Sequence, residues 1–271
     1  MADTKISWCD KSWNPITGCS PASEGCKFCY AKRMATRLRG RYGYPKDNPF
    51  AVTLHPDKLL EPLKWKKPQV IFICSMGDWM HEDVPTDYID EMLDVISACP
   101  QHIFLTLTKR PENLERKLYE VTVENPCREL GGGDYAPNLW LGVSVENQET
   151  ANIRIPLLTD SNLLGWKKFV SYEPAIGPVD FSAWTNKINW LIMGGENGPG
   201  ARPCDITWAR SVRDQCRVAK IPFWFKGWGD WMLRWGILPN SFDSLADKRI
   251  DGVEYAEQPD WFSGNKKGVT R

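Results

Sequence analysis

The stretch VIFICSMGDWMHEDVPTDYIDEMLDVISACPQHIFLTLTKRP, residues 70–111, decides how the rest of the chain is read. Its first five residues, Val70–Cys74, are apolar and rich in β-branched and aromatic side chains. They are followed by the turn Ser75-Met76-Gly77-Asp78. After Pro85-Thr86, a plausible helix start, Ile89, Met92, Leu93 and Ile96 repeat at helical spacing. A second apolar run, Ile103–Thr108, ends in Lys109-Arg110-Pro111. The runs are continuous rather than alternating, which is the pattern of strands covered on both faces. One such strand–helix–strand unit is the building block of a parallel sheet.

The same pattern extends in both directions. Further apolar runs fall at Ala51–Leu54, Leu139–Val145, Lys168–Tyr172, Trp190–Met193 and Pro222–Phe225, with a short strand expected at Trp13–Thr17. Helical stripes are formed by Ala31, Met34, Ala35 and Leu38, by Leu114 and Leu118 after Pro111, and by Trp208, Val212, Cys216 and Ala219. The alternation predicts an α/β fold, a parallel (β/α) barrel or partial barrel of six to eight strands, over residues 1–238. An open doubly wound sheet is the alternative. Residues 239–271 are polar and weakly periodic, and are expected to form an irregular segment packing on or near the barrel as a lid, or to be partly disordered.

Composition excludes several classes. The chain has 271 residues, no net charge, 42% hydrophobic and 25% charged residues, which is ordinary for a globular protein. No apolar run approaches the ~18 residues of a membrane span. The N-terminal MADTKISWCD has no apolar h-region, so a cytoplasmic location is expected. Nine cysteines, an odd number, argue against a disulfide framework. Zero net charge excludes coating of nucleic acid by bulk charge, though not a local basic face. The 14 tryptophans require packing, or recognition of a flat substrate, to explain them.

Ligands of such folds bind at the C-terminal strand ends. The residues there are Ser75 and Asp78, then Thr108 and Lys109, then Ser144 and Glu146. Glu173 follows, then Gly194, Gly195 and Glu196, and finally Lys226. Singly these are ordinary helix-capping or loop residues; six strand ends in succession point to one pocket. Glu173, Glu196 and Lys226 are the candidate catalytic groups, with acid–base capability. Before the first helix lie Cys19, Cys26 and Cys29, spaced C-x6-C-x2-C. Three clustered thiols are a metal-binding pattern. Zinc normally takes four ligands, for which Cys9 is available. A [4Fe–4S] cluster held by three cysteines leaves one iron open to bind a cofactor.

The segment Cys26-Lys27-Phe28-Cys29-Tyr30-Ala31 resembles the end of the radical S-adenosylmethionine (SAM) motif, C-x3-C-x-aromatic-C, with Phe28 in the aromatic place. The first spacing is six residues rather than three. Ser75 and Asp78, Thr108-Lys109 and Ser144 resemble the successive strand-end motifs of the spore photoproduct lyase branch. The order from Trp13-Asn14-Pro15 to Gly194-Gly195-Glu196 and Lys226 resembles a phage-encoded three-cysteine family of unassigned activity, over about residues 5–230. The resemblance implies a [4Fe–4S] cluster on Cys19, Cys26 and Cys29 and SAM as cofactor. It also implies reductive cleavage of SAM to a 5′-deoxyadenosyl radical and a flavodoxin- or ferredoxin-like electron donor. By the same resemblance Lys109 pairs with the methionine carboxylate. Ser75 and Ser144 bond the methionine or ribose, and the Tyr30 backbone lies near adenine. The family's Gly-Gly-Glu motif follows an early strand, whereas here it follows a late one, so Glu196 is a candidate for either SAM or substrate.

The substrate is addressed by charge and aromatics. Lys27, Lys32, Arg33, Arg37, Arg39, Arg41 and Lys46 occur without an acid among them. Arg202, Arg210, Arg213, Arg217 and Lys220 form a second basic stretch. Trp224, Trp228, Trp231 and Trp235 cluster near the last strand. A basic face with aromatics suits a nucleoside or nucleic-acid substrate; a solvated helix face over buried tryptophans is the plainer reading. The alternative function is a nonenzymatic zinc-bound nucleic-acid-binding or regulatory protein on a barrel scaffold.

Overall fold

A computed structural model describes residues 4, 6–124, 136–160, 165–231, 248–260 and 262. In chain order its strands are β1 (Lys11–Trp13), β2 (Ile16–Thr17), β3 (Thr53–Leu54), β4 (Val70–Ile73), β5 (Ile103–Thr108), β6 (Leu139–Val145), β7 (Lys167–Tyr172), β8 (Trp190–Met193), β9 (Phe223–Phe225), β10 (Arg249–Ile250) and β11 (Val253–Glu254). The longer helices are α1 (Tyr30–Arg37), α2 (Pro56–Leu59), α3 (Thr86–Ser97), α4 (Glu112–Glu124), α5 (Gln148–Thr159) and α6 (Ile206–Ala219). Seven strands, in the order β1-β4-β5-β6-β7-β8-β9, run parallel and curl into a half-barrel. The fold is therefore the expected α/β partial barrel.

Of two further expected strands, only the Trp13 end of one joins the barrel sheet. Trp13–Thr17 is split at Pro15, which has no N–H to continue the ladder. Trp13 ends β1 by accepting from Cys74 N at 2.8 Å, and Pro15 accepts instead from His55 N at 2.7 Å. Ile16–Thr17 then turns away and pairs antiparallel with Thr53–Leu54, Ile16 opposite Leu54. The run expected at Ala51–Leu54 thus forms half of a small ribbon. That ribbon carries the cysteine loop: Gly18 N donates to Met76 O at 2.9 Å and Cys19 N to Phe50 O at 3.1 Å. At Gly18, φ is +88° and a Cβ would lie 2.0 Å from Ala51 O, so only glycine fits.

The barrel strands are buried on both faces because each face has its own core. Outward-facing Ile71, Ile73, Leu141 and Val143 pack with Ile89, Met92, Leu93 and Ile96 of α3, as the helical stripe predicts. Inward-facing Val70, Phe72, Ile103, Leu105, Trp140, Phe169, Trp190 and Ile192 form a second cluster with Trp8 and Phe262. Continuing the period of two along each strand brings Ser144, Ser171, Glu173 and Lys226 onto the same concave side, one or two layers above the aromatics. The inner face is thus apolar below and polar above. The α1 stripe is narrower than expected: Ala31 and Ala35 are buried, but Met34 is 40% exposed. This helix lies on the rim and presents only its alanine face.

The segment expected to be irregular carries the β10–β11 hairpin. Beyond it, Phe225 N donates to Tyr255 O at 2.8 Å and Glu257 N to Phe223 O at 3.1 Å, so this stretch covers the open edge of β9. Phe262 is fully buried, with ring centroids 5.0 Å from Trp140 and 5.2 Å from Trp190. Trp8, Trp13, Trp79, Trp140 and Trp190 are also fully buried, so packing accounts for much of the tryptophan content. Among the described residues no helix is long and apolar enough to cross a membrane.

Candidate functional site

A cavity of 320 Å³ opens at the C-terminal ends of the strands. Its rim is the cysteine loop. Cys19, Cys26 and Cys29 are half-buried, none is in a disulfide, and all three line this cavity. The loop descends through a 3₁₀ turn at Glu24–Cys26 into α1, whose N-cap is Cys29. Phe28 lies between Lys27 and Arg202, 5.6 and 5.7 Å from its ring centroid. Gly200 fits beneath this ring, where a Cβ would lie 2.6 Å from it.

The thiols differ in surroundings. Cys19 Sγ accepts from Arg110 Nη1 at 3.3 Å, whereas among the described residues Cys26 Sγ accepts the N–H of Ala22 at 3.5 Å. Burial pushes the Cys19 thiol up to about 12, with Asp78 adding and Arg110 opposing. Among the described residues no three His, Cys, Asp or Glu side chains are placed to share one metal ion. A [4Fe–4S] cluster makes a different demand, because each thiolate ligates its own iron and the ligands stand farther apart than around a single ion. Three half-buried, unbridged thiols lining one cavity meet that demand in donor chemistry.

The other sequence-derived candidates divide into two groups. Tyr30, Ser75, Asp78, Thr108, Lys109, Ser144, Glu173, Gly195, Glu196 and Lys226 line the cavity; Glu146 and Gly194 do not. Several cavity residues are already committed to the protein. Asp78 accepts from Thr108 Oγ1 at 2.8 Å, Met80 N at 3.0 Å and Lys109 N at 3.0 Å, tying the ends of β4 and β5 together. Ser75 Oγ donates to Asn14 Oδ1 at 3.2 Å, and Tyr30 donates its hydroxyl to the Ser75 carbonyl. Glu196 is held by Arg202, whose Nη2 donates at 2.6 Å and Nε at 2.8 Å. Gly195 is needed for close chain packing, since a Cβ there would lie 2.0 Å from Trp228 O.

Glu146 sits behind the loop, 1% exposed. It accepts from the Lys109 ammonium, from Arg154 Nη1 at 3.0 Å and from Ser23 Oγ at 2.8 Å. Burial alone would push its carboxyl up, but the Lys109 and Arg154 charges beside it together outweigh burial and hold it below the ordinary range. The Glu146 carboxylate is thus shared by two cations, of which Lys109 lines the cavity. Across the cavity Lys226 Nζ donates to both Glu173 oxygens at 2.5 Å. Both side chains remain about one-quarter exposed, at 24% and 22%, so this pair is accessible to a ligand.

Sequence reading missed Arg110, Arg154 and Ser171 as site residues, and took Arg202 only as part of a basic stretch. Arg110 had a signal in its place at the end of β5. Arg154 lies one and a half turns into α5 and had none. The tryptophans near the last strand do not face the cavity. Trp228 is buried against Phe225 at 4.7 Å, Trp224 packs on Trp190 at 6.4 Å, and Trp231 is half-buried outside the lining. Trp235 lies outside the described residues. The aromatics that do line the cavity are Trp8, Phe28, Tyr30, Phe50 and Phe72.

A family model described as "Protein of unknown function (DUF5131)" matches residues 3–259. No curated protein matches. Among solved structures, the chain is similar to spore photoproduct lyase complexed with dinucleoside spore photoproduct, at 11% identity over 79% of this chain and 62% of that one, with a TM-score of 0.49. It is also similar to a spore photoproduct lyase variant with bound AdoMet and the same dinucleoside, at 12% identity, 79% and 62% coverage and a TM-score of 0.48. The chain spans less than two thirds of the length of these proteins.

Proposed function

The chain belongs to DUF5131, a family without an assigned activity, and from its site we propose a radical SAM enzyme acting on a nucleoside, a DNA base or a related substrate. The observation that carries the proposal is the meeting of two features in one cavity. Three unbridged cysteines of a single loop face hydroxyls and charges from successive parallel strand ends. Cys19, Cys26 and Cys29 would hold a [4Fe–4S] cluster, which supplies the reducing electron and an open coordination position for SAM.

The remaining roles belong to the chain. Lys109 offers a cation to a carboxylate, charge-assisted and backed by Glu146. Ser144 supplies a hydroxyl on the concave face, and Ser171 lines the cavity beside it. Phe72, Leu107 and Trp8 form an apolar floor that excludes water from reactive intermediates. Lys226 and Glu173, which line the same cavity, are the candidate groups for handling the substrate, able to donate or accept a proton.

A nucleotide-like substrate is supported by surface charge. Lys27, Lys32, Arg37, Arg39, Arg41 and Lys46 are exposed before, on and after α1, and Lys32 lines the cavity. None of them pairs with an acid among the described residues. In a chain with no net charge this is a concentrated basic surface. The test is anaerobic incubation of iron-reconstituted protein with dithionite and SAM. Formation of 5′-deoxyadenosine by the parent, abolished in Cys26→Ala, supports the proposal; intact SAM in both overturns it.

A further inference from the structure

Arg110 is the one cation bonded to a thiol of the loop among the described residues, and its guanidinium divides between two tasks. Nη2 donates to Ser20 O at 3.0 Å and to Ser20 Oγ at 2.7 Å, which fixes the loop next to Cys19. Nη1 donates to Cys19 Sγ at 3.3 Å. The side chain is 7% exposed, and its Nε is held by Glu82 at 3.0 Å, with Asp78 Oδ2 3.6 Å from Nη1. The two carboxylates orient the fork: Glu82 is 61% exposed and well screened by water, whereas Asp78, 8% exposed, offsets part of the charge, so what Arg110 supplies at the sulfur is the directed cationic N–H.

We infer that Arg110 is a positioning residue that raises the reduction potential of the cluster by withdrawing electron density from the Cys19 sulfur, making its ligand set asymmetric. The inference rests on the reading proposed above, in which Cys19 is a cluster ligand. Hydrogen bonds to ligand sulfurs stabilise the reduced, more negative state of such clusters, and a charged donor does so more than a neutral one. Cys26 accepts a backbone N–H at the longer 3.5 Å, so the electron is stabilised most on the Cys19 side. A loop anchor alone would act differently, changing how well the cluster is retained and leaving its potential alone.

The experiment compares parent, Arg110→Gln and Arg110→Lys proteins, reconstituted with iron and sulfide in the absence of oxygen. Iron and sulfide are counted, and the midpoint potential is measured by dye-mediated titration with electron paramagnetic resonance, without SAM. The inference predicts parent-like iron content and a more negative midpoint in Arg110→Gln. Arg110→Lys, which keeps the charge but not the fork, falls between. Unchanged potentials in variants that hold a full cluster overturn the role of Arg110 and leave the cluster reading standing. If Arg110→Gln retains no cluster, Arg110→Lys decides alone: a negative shift supports the inference and an unchanged midpoint refutes it. Absence of iron and sulfide from the parent overturns the underlying reading instead.

Discussion

Replacing Glu146 with alanine tests the electrostatic arrangement behind the cysteine loop. Glu146 is 1% exposed and Arg154 6%, while Lys109 is 20% exposed. Removing the carboxylate leaves Arg154 as a buried, uncompensated cation, for which the cost is about 3–5 kcal/mol. Lys109 adds less, because its side chain is 20% exposed and lines the cavity, so its ammonium can reach water once the carboxylate is gone. For a chain of this size each kcal/mol moves the melting temperature by about 2–3 °C, so the expected drop is roughly 6–15 °C. The pH dependence has a definite sign. The Glu146 carboxyl is held below its ordinary range in the folded state. Its contribution is therefore complete above the unfolded carboxyl value of about 4.3 and is lost as the pH falls through the folded value. Urea unfolding of cluster-free parent and Glu146→Ala should show the full difference at pH 7 and a shrinking one below about pH 4. A companion Glu146→Leu/Arg154→Met variant, in which both buried charges are gone, should recover a large part of the loss. A loss below about 1 kcal/mol at pH 7, or a difference that does not shrink in acid, refutes the buried-charge account.

Other consequences are direct. Gly18→Ala puts a Cβ 2.0 Å from Ala51 O at positive φ; it should displace the ribbon beneath the cysteine loop and lower iron retention well below that of the parent, which metal analysis would read. Phe262→Ala empties a fully buried site between Trp140 and Trp190 and should cost about 3–5 kcal/mol in urea unfolding; a near-neutral result would mean that the tail does not close the barrel floor in solution. Lys226→Met removes the partner of Glu173 at a quarter-exposed pair, so stability should change little. Once a substrate is found, its turnover should fall by about 10²–10⁴ while SAM cleavage persists; loss of both activities would move Lys226 from substrate to cofactor.

The sequence made the barrel legible where strands are buried on both faces. Ile103–Thr108, Leu139–Val145 and Trp190–Met193 show continuous apolar runs that coincide with β5, β6 and β8. It misled where a single residue interrupts such a run: Pro15 splits the strand expected at Trp13–Thr17, and the remainder finds an antiparallel partner 36–38 residues away. The cavity wall was legible through the strand-end residues, because a period of two fixes which of them face inward. What they bond to was not. Glu196 and Arg202 are six residues apart in the chain, and Arg110 and Cys19 are 91 apart. Neither pairing leaves a local pattern. The tryptophan cluster illustrates the opposite error, since aromatic density near a strand end describes a core as well as a stacking platform.

The account stands most directly on what the three thiols hold. The decisive measurement is iron and acid-labile sulfide per chain in anaerobically reconstituted protein, with Cys19→Ala, Cys26→Ala and Cys29→Ala beside the parent. The account predicts about four irons and four sulfides in the parent and a loss of cluster in each variant. A parent that takes up only zinc, or variants that retain the full iron content, would contradict it.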